Sequence, residues 1–524
     1  MSINKYPSFN QNQAVARSAA VISLATLTSR ILGFIRDVII ARLFGVYLHA
    51  QAFVIAFRIP NLFRDLVGEG ASNAAVVPVL SEYSLKRSKE EFWELANVLL
   101  NLLAVILSAI TILGVIFSPW IVRLIAPGFI GSVDKLQATV NLNRIIFPYI
   151  LLIGLAAYAT AVLNSLKSFA VSAFAPCFLN IAIIVCALVL GEGTQGLATG
   201  VLLGGILQLA VQVPLLYKKG LRPKFILCFK HPGVVQIGKL MLPRLASSSI
   251  YQLNNFVDSI FGSLAAIVGD GGVAVLYFAY RLIQFPIGIF SNAVAQAILP
   301  TFSTQVFQEG QENLKNTLSW GLRIVFFVML PATALFMILA GPLVLTLFGG
   351  GKFDLNSARL TSNALFFYSI GLTAYGGTKI LQSCFFALKD TVTPTKIAGL
   401  ALLMNIILNA LLMFPLKIGG LALATSISGI ISFFVLFILL NRRLGGFGEY
   451  KILKSFWRIL AAALCMAVVC FLVNQALNFG WALFFSALAY IFFCFIFGVV
   501  ELKQLVHWLV SKNLKPSPWN GHWN

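Results

Sequence analysis

Four arginines stand at a six-residue spacing inside the first two apolar stretches of the sequence, Arg30 with Arg36 and Arg58 with Arg64. A charged side chain at the depth of a bilayer costs about 3 kcal/mol, so such residues normally face a protein-lined cavity and meet an opposite charge there. The acids nearby are Asp37, Asp65 and Glu69. The cluster therefore keeps excess positive charge, and we expect an anionic ligand to supply the missing negative charge.

The chemistry that this arrangement favours is diphosphate binding. Arginine presents a planar fork that contacts phosphate oxygens in pairs and keeps its charge in any environment, so several converging arginines suit a diphosphate better than a monoanion. Six residues of helix turn through about 600°, which leaves Arg30 and Arg36 about 240° apart, and they share a face only if the helix bends or unwinds. Gly33 is the predicted break in the first pair, and Pro60 is the break in the second.

Two further cations lie in later apolar segments. Arg281 could close the same site from the second half of the chain, and Lys379 could line the same cavity from the middle of another segment. The alternative for the buried cations is that they extend to the headgroups at the membrane surface or pair with nearby acids. Spacing alone leaves both interpretations open.

A second polar group could hold a small cation. Asp258 is the lone carboxylate of its apolar segment, Asn405 and Asn409 share one helix face, and Thr425 lies on the following segment. Oxygen ligands from three helices could bind Na⁺, or Asp258 could carry a proton. Hydrogen bonding between helices explains the same side chains equally well.

The elements that must position these residues are membrane-spanning helices. Of the 524 residues, 59% are hydrophobic and 10% are charged, whereas a soluble protein has about 25% charged residues. The polar N-terminus lacks the apolar core and cleavage site of a signal peptide, so we expect the first span to be retained. About 20 apolar residues cross the hydrocarbon, and the pattern predicts an all-α polytopic membrane protein. The fourteen predicted transmembrane helices are 18–41, 50–80, 95–118, 140–163, 170–190, 196–217, 240–265, 272–303, 320–347, 360–386, 394–413, 418–440, 456–474 and 480–501.

The distribution of the remaining residues orients the chain and excludes other classes of protein. Basic residues concentrate in alternate loops, which places both termini in the cytoplasm and accounts for the net charge of +21 without a nucleic-acid partner. The seven cysteines have no metal-type spacing, and the four histidines lie outside the predicted spans. No glycine-rich stretch carries the signature of a nucleotide-binding loop. The sequence therefore gives no support for an enzyme, and we assign no catalytic residue.

An internal repeat runs through the chain at an offset of about 222 residues. Its matching positions include Pro78 with Pro300, Arg58 with Arg281, and Lys167 with Lys389. Each copy holds six spans, so both copies enter the membrane from the same face, as in two-lobed transporters whose substrate binds between the lobes near mid-membrane. The repeat predicts three parts: an N-terminal lobe at 1–222, a C-terminal lobe at 223–445, and an additional helix pair with a cytoplasmic tail at 446–524.

The sequence resembles the MurJ (MviN) family of lipid II flippases, within the multidrug/oligosaccharidyl-lipid/polysaccharide exporter superfamily. The resemblance is carried by SRILGFIRDVIIARLFG (29–45), AFRIPNLFRDLVGEGASNAAVVPVLSEY (56–83), YFAYRLIQFPIGIF (277–290), APGF (126–129), FPYILLIGLA (147–156), FAPCFLNI (174–181) and GGKFD (350–354). It implies fourteen helices in two six-helix lobes plus a terminal pair. It also implies a substrate, the undecaprenyl-pyrophosphate-linked peptidoglycan precursor lipid II, which is moved from the cytoplasmic to the periplasmic leaflet.

The same resemblance assigns site residues. The family's essential cavity arginines fall on Arg30, Arg36, Arg64 and Arg281. Further charged positions of the family fall on Arg58, Lys379, Asp37 and Glu69. The family's sodium site is similar to Asp258, Asn405, Asn409 and Thr425, with Asn409 in place of one carboxylate. This sequence has neutral residues at three positions where some family members have acids, Gln51, Tyr280 and Gln284.

Together these features predict a flippase that moves lipid II by alternating access and binds its diphosphate in an arginine-lined cavity. The alternatives are a flippase for another lipid-linked oligosaccharide and a cation-coupled exporter, although an exporter of cationic drugs should have an acidic cavity. A scaffold without transport activity should lack the cavity charges. We expect a monomer in the bacterial inner membrane that contacts membrane lipids and cell-wall synthesis proteins, uses no cofactor, and is coupled to Na⁺ or to the membrane potential.

Overall fold

The structure is a computed structural model that describes residues 9–64, 75–191, 193–309 and 311–504. Side chains are described over these ranges except at 9–19, 242–251 and 308–309. Apart from one isolated bridge between Gly350 and Phe353, the regular secondary structure of the described residues is helical. The predicted all-α fold class is therefore confirmed.

Twenty α-helices account for most of the described chain. In order they are α1 Phe9–Phe44, α2 Leu48–Phe63, α3 Val77–Lys86, α4 Lys89–Ile116, α5 Ser118–Ile125, α6 Val133–Ile146, α7 Tyr149–Ser165, α8 Ala170–Val189, α9 Thr194–Lys219, α10 Pro232–Gly262, α11 Ala265–Val268, α12 Gly272–Pro286, α13 Asn292–Thr304, α14 Gln311–Ile338, α15 Ala340–Phe348, α16 Leu355–Ile370, α17 Leu372–Ala387, α18 Val392–Leu444, α19 Glu449–Ala476 and α20 Phe479–Ile496. Short 3₁₀ and π turns join several of them, and helices account for most of the described residues in each predicted span.

Local chemistry explains where individual helices begin and end. Ser88 caps α4 by accepting a hydrogen bond from the amide of Glu91 at 3.2 Å, and two acids in the first turn suit the positive end of the helix dipole. Gly220 ends α9 at a φ of 118°, a conformation that favours glycine. Lys417 interrupts α18 at a φ of 51°, which separates the predicted spans 394–413 and 418–440.

Nine helical stretches among the described residues are long and apolar enough to cross a membrane. This confirms a multi-pass membrane protein, while the count of fourteen crossings stays a prediction. One of the nine stretches, Val392–Leu444, contains two predicted spans, 394–413 and 418–440.

The chain divides into two compact units. The first contains Met1–Phe278 with Leu347–Ser357, and the second contains Ala279–Thr346 with Ala358–Asn524. A buried apolar cluster in the first unit packs α3 and α4 against α7, with Leu80, Leu95 and Leu163 at its centre. The lobe boundaries at 222 and 445, which come from the repeat, stay a prediction.

Candidate functional site

A buried ion pair joins Arg36 and Asp37 near the C-terminal end of α1. Arg36 donates to Asp37 Oδ1 from Nε at 3.0 Å and from Nη2 at 2.7 Å, and the two residues are 3% and 1% exposed. Removing two charges from water is unfavourable unless they are paired and hydrogen-bonded. The expectation that the arginines keep an uncompensated charge is therefore wrong for Arg36, because the adjacent carboxylate lies within bonding distance.

Two side chains from other helices complete the surroundings of this pair. Asn180 of α8 accepts a hydrogen bond from Arg36 Nη1 at 3.1 Å. Tyr277 of α12 donates its hydroxyl to Asp37 Oδ1 at 3.1 Å and accepts from Arg36 Nη2 at 3.4 Å. Neither residue was predicted from the sequence. The signal available was that each is a polar residue inside an apolar, family-like stretch, FAPCFLNI for Asn180 and YFAYRLIQFPIGIF for Tyr277.

The first pair of arginines does not converge. α1 passes through Gly33 as an uninterrupted helix, so the predicted break there is wrong. The amide of Asn180 lies 3.7 Å from the point that a Cβ at Gly33 would occupy, so this glycine borders a packed neighbour. Because the helix is continuous, Arg30 and Arg36 lie on different faces, and Arg30 is exposed while Arg36 is buried. Within the described part of the chain, Arg30 has no hydrogen-bond or ion-pair partner.

The second pair lies in and directly after α2. Arg58 is half-buried and donates from Nη2 to Ser259 Oγ of α10 at 2.6 Å. Pro60 remains inside α2, which ends within one turn of it, and the half-buried Arg64 follows at the helix end. Glu69, predicted as an acid of the same site, lies outside the described residues.

Arg281 and Lys379 belong to the second unit and are both half-buried. On α12, Arg281 donates from Nη1 to Gln284 Oε1 at 3.2 Å, one turn along the helix. On α17, the ammonium of Lys379 has no hydrogen-bond partner in the described ranges. Burying part of a cation without a polar partner costs free energy. A bound anion would offset that cost at Lys379.

The three polar residues of the predicted cation site that lie in the second unit form a hydrogen-bonded chain. Asn409 Nδ2 donates to Asn405 Oδ1 at 3.0 Å, Asn405 Nδ2 donates to Thr425 Oγ1 at 3.0 Å, and Thr425 donates to the carbonyl of Leu421 at 3.2 Å. All three side chains are buried, and Asn409 Oδ1 is a buried oxygen without a hydrogen-bond partner. This hydrogen-bonded chain of three side chains is electrically neutral. A neutral group is what the alternative interpretation, hydrogen bonding between helices, predicts.

Asp258, the fourth predicted ligand, is half-buried on α10 and belongs to the first unit. No cluster of three or more His, Cys, Asp or Glu side chains suited to a metal ion lies within the described ranges. A role of Asp258, Asn405, Asn409 and Thr425 as metal ligands stays a prediction.

A second polar cluster surrounds Asp270, in the loop before α12. Gln51 Nε2 donates to Asp270 Oδ1 at 2.9 Å, Lys135 forms an ion pair with the same oxygen, and the amide of Gly271 donates to it at 2.7 Å. Desolvation opposes ionisation of this carboxyl, but the hydrogen bonds from Lys135 and Gln51 outweigh it and hold the pKa of Asp270 below its usual value. The resemblance implies that some family members have an acid at the position of Gln51. In this protein Gln51 is neutral and donates a hydrogen bond to Asp270.

Residues 40–492 match the sequence profile of a family described as lipid II flippase MurJ. The chain is 36% identical over 472 residues to a probable lipid II flippase MurJ of Vibrio cholerae, covering 87% of this chain and 88% of that relative. It is 33% identical over 477 residues to the lipid II flippase MurJ of Burkholderia cenocepacia, covering 89% and 91% of the two chains.

Two solved structures share the fold of this chain. A lipid II flippase MurJ in an inward closed conformation superposes with a TM-score of 0.79 at 28% identity, over 93% of this chain and all of that one. An inward-facing MATE family multidrug transporter superposes with a TM-score of 0.66 at 16% identity, over 80% of this chain and 94% of that one, which shows a shared fold.

Helices that are long and apolar enough to cross a membrane, and that bury charged side chains between them, define a multi-pass membrane protein. The match to the family profile and to relatives along nearly the whole chain makes the assignment specific. The chain belongs to the MurJ family of lipid II flippases.

Proposed function

We propose that this protein flips lipid II from the cytoplasmic to the periplasmic leaflet of the bacterial inner membrane by alternating access. The observation that carries the proposal is family membership over residues 40–492. The position of Arg30 supports it, because an exposed guanidinium on an apolar helix, without an acid partner in the described residues, supplies charge for the diphosphate of the substrate.

The arginines have different roles in this proposal. Arg30 makes the first contact with the diphosphate. Arg36 is held in a fixed orientation by Asp37 and Asn180, and its long 3.4 Å contact with Tyr277 is the bond most easily exchanged for a phosphate oxygen. The other charged residues predicted to bind the substrate are Arg58, Arg64, Arg281, Lys379 and Glu69. Closing of the cavity on the cytoplasmic side and opening on the other side release the headgroup.

Resetting of the empty carrier requires an energy difference between its two states. The membrane potential acts on the excess positive charge of the cavity and supplies about 2.3 kcal/mol per charge per 100 mV. The neutral chain of Asn405, Asn409 and Thr425 contributes no charge to hold Na⁺, and this favours the potential as the source. Coupling to Na⁺ through these residues and Asp258 is the alternative.

The proposed setting is peptidoglycan biosynthesis. The protein acts as a monomer with both termini in the cytoplasm, and it moves its substrate without making or breaking a covalent bond. Surrounding lipids and cell-wall synthesis proteins are its expected partners, and its loss would alter cell-wall biogenesis and cell shape.

Complementation of a strain depleted of its own flippase tests the proposal. Arg30→Ala and Arg281→Ala should abolish growth and cause lipid II to accumulate in the cytoplasmic leaflet while the abundance of the protein in the membrane stays normal. Arg123→Ala is the matched control, because Arg123 is exposed and its guanidinium lies over the Trp120 ring at 5.6 Å. Full growth with both cavity variants would contradict the proposal.

A cation-coupled drug exporter is the second candidate, since the fold is shared with a MATE family transporter. Exporters of cationic drugs need negative charge in their cavity, whereas the charges here are mainly arginines. Expression of this protein should therefore leave drug sensitivity unchanged. Resistance to cationic drugs that depends on Asp258 would favour the exporter.

A further inference from the structure

The segment between α9 and α10, residues 221–231, carries an unusual exposed apolar face. Phe225, Leu227 and Phe229 are 80%, 43% and 63% exposed, while the intervening Ile226 and Cys228 are half-buried. This alternation is typical of an extended chain that presents every second side chain to its surroundings. Exposed large apolar side chains that are contiguous mark an interaction surface.

Hydrogen bonds to α4 hold the segment in place. The amide of Lys224 donates to Asn97 Oδ1 at 2.9 Å. The side-chain nitrogen Nδ2 of Asn101 donates to the backbone carbonyls of Lys224 at 2.6 Å and Ile226 at 3.2 Å. The backbone is therefore fixed on the surface of α4, and the apolar face is a built feature of the first unit.

The contact with α4 also sets the depth of this face. The predicted span on α4 begins at residue 95, and Asn101 lies about 9 Å further along the helix axis. Its neighbour Val105 is 45% exposed, as expected of a side chain that faces acyl chains. The segment therefore lies beside the edge of the hydrocarbon, where apolar side chains are removed from water.

The charges around the segment indicate which lipids it meets. Residues 217–239 contain six Lys or Arg and no Asp or Glu. Lys224 and Lys230 are exposed and have no acid partner in the described part of the chain. Arg222, in contrast, is held by the carbonyls of Tyr217 and Leu221, each at 3.2 Å. Unpaired lysines beside an apolar face complement an anionic membrane surface.

We propose that residues 224–230 form a binding surface for anionic phospholipid. Phe225, Leu227 and Phe229 enter the boundary between headgroups and acyl chains, and Lys224 and Lys230 bind the headgroup phosphates. This surface lies outside the arginine site and serves a different ligand, since it binds lipids of the surrounding leaflet and not the transported substrate.

Tryptophan fluorescence in vesicles tests the proposal. The full-length protein and its Phe225→Trp variant are reconstituted in zwitterionic vesicles with and without phosphatidylglycerol, and the added emission is the difference between the two proteins. Brominated lipid should quench the added emission and aqueous iodide should not. Quenching by iodide, or by neither reagent, would overturn the proposal, because the side chain would then face water or be covered by protein.

Two further variants make the test specific. Glu90→Trp is the reference for an aqueous position, since Glu90 is exposed in the first turn of α4, and it should be quenched by iodide. The double variant Lys224→Gln and Lys230→Gln, in the Phe225→Trp background, should lower the preference for brominated phosphatidylglycerol over brominated phosphatidylcholine about thirtyfold. An unchanged preference would overturn the role of the lysines.

Discussion

Lys167 and Lys389 adopt the same left-handed backbone conformation, with φ of 57° and 59°, just after α7 and α17. After Lys167, the amide of Ser168 donates back to the carbonyl of Leu163 at 2.8 Å, and the corresponding bond after Lys389 measures 2.9 Å. The two turns are related by the offset of about 222 residues that defines the sequence repeat. The shared Leu-Lys dipeptide thus marks a shared turn.

Glycine at either of these positions should stabilise the protein, because a left-handed conformation costs a residue with a Cβ about 1 kcal/mol. The gain should be smaller for Lys389→Gly than for Lys167→Gly, since the ammonium of Lys389 lies 4.9 Å from the centre of the Phe307 ring and this cation–π contact is lost. Thermal unfolding in detergent measures both. A fall in stability for Lys167→Gly would contradict the explanation.

Arg36→Ala should destabilise the protein by about 3–5 kcal/mol, because it leaves the buried carboxylate of Asp37 without its ion-pair partner. Arg30→Ala should change stability by less than about 0.5 kcal/mol, since Arg30 is exposed. Thermal or denaturant unfolding distinguishes the two.

The double variant Arg36→Gln with Asp37→Asn is the control for charge. It removes both charges and keeps side chains that can hydrogen-bond, so it should recover most of the lost stability while transport stays abolished. Recovery of transport would show that Arg36 serves the pair alone and not the substrate.

Stability contributed by Asp270 should depend on pH. Its folded-state pKa is lowered, so the contribution is present above the unfolded value of about 3.9 and is lost as pH falls through the folded value. The unfolding temperatures of wild type and Asp270→Asn should therefore differ by a constant amount between pH 8 and 5 and converge below about pH 4. The side chain is about half exposed, so the difference should stay below about 1 kcal/mol.

Sodium should not stabilise the wild-type protein through the Asn405–Asn409–Thr425 chain, because its members carry no charge to attract a cation. Replacing NaCl with KCl should leave the unfolding temperature unchanged. Asn409→Ala should cost about 1–2 kcal/mol in either salt, since Asn405 Oδ1 loses its donor. Sodium-dependent stabilisation that Asn409→Ala removes would instead establish a cation site.

Glu501→Ala should weaken the attachment of α19 to α14. The buried Glu501 carboxylate accepts from Ser455 of α19 at 2.9 Å and lies 3.3 Å from Arg323 Nε of α14. Because Arg323 would be left largely buried and unpaired, we expect a loss of about 3 kcal/mol in thermal unfolding. Ser455→Ala, which removes one hydrogen bond, should cost about 1 kcal/mol. Equal effects of the two variants would show that the ion pair contributes little.

The positions of the helices could be predicted because long apolar runs bounded by polar residues are explicit in the sequence. The span predicted at 170–190 is the helix Ala170–Val189. The break predicted at Gly33 failed because glycine costs a helix only about 1 kcal/mol. Continuous hydrogen bonding and the packing of Asn180 outweigh that cost.

The pairing of Arg36 with Asp37 was one of two open interpretations of the sequence. Side chains of consecutive residues diverge on an ideal helix, so nothing in the spacing favours the pair. In the folded protein the pair is buried, and hydrogen bonds from Arg36 to Asn180 and from Tyr277 to Asp37 fix its orientation. Those two residues are distant in the chain, so their contacts depend on the tertiary structure.

Because Arg36 and Asp37 are neighbours in the chain, their salt bridge has a consequence for biogenesis. The partners leave the ribosome together and can neutralise each other within a single nascent helix, before α8 and α12 have been synthesised. This lowers the cost of partitioning α1 from the translocon into lipid, about 3 kcal/mol for each isolated charge. In the folded protein, Asn180 and Tyr277 add hydrogen bonds to this pair.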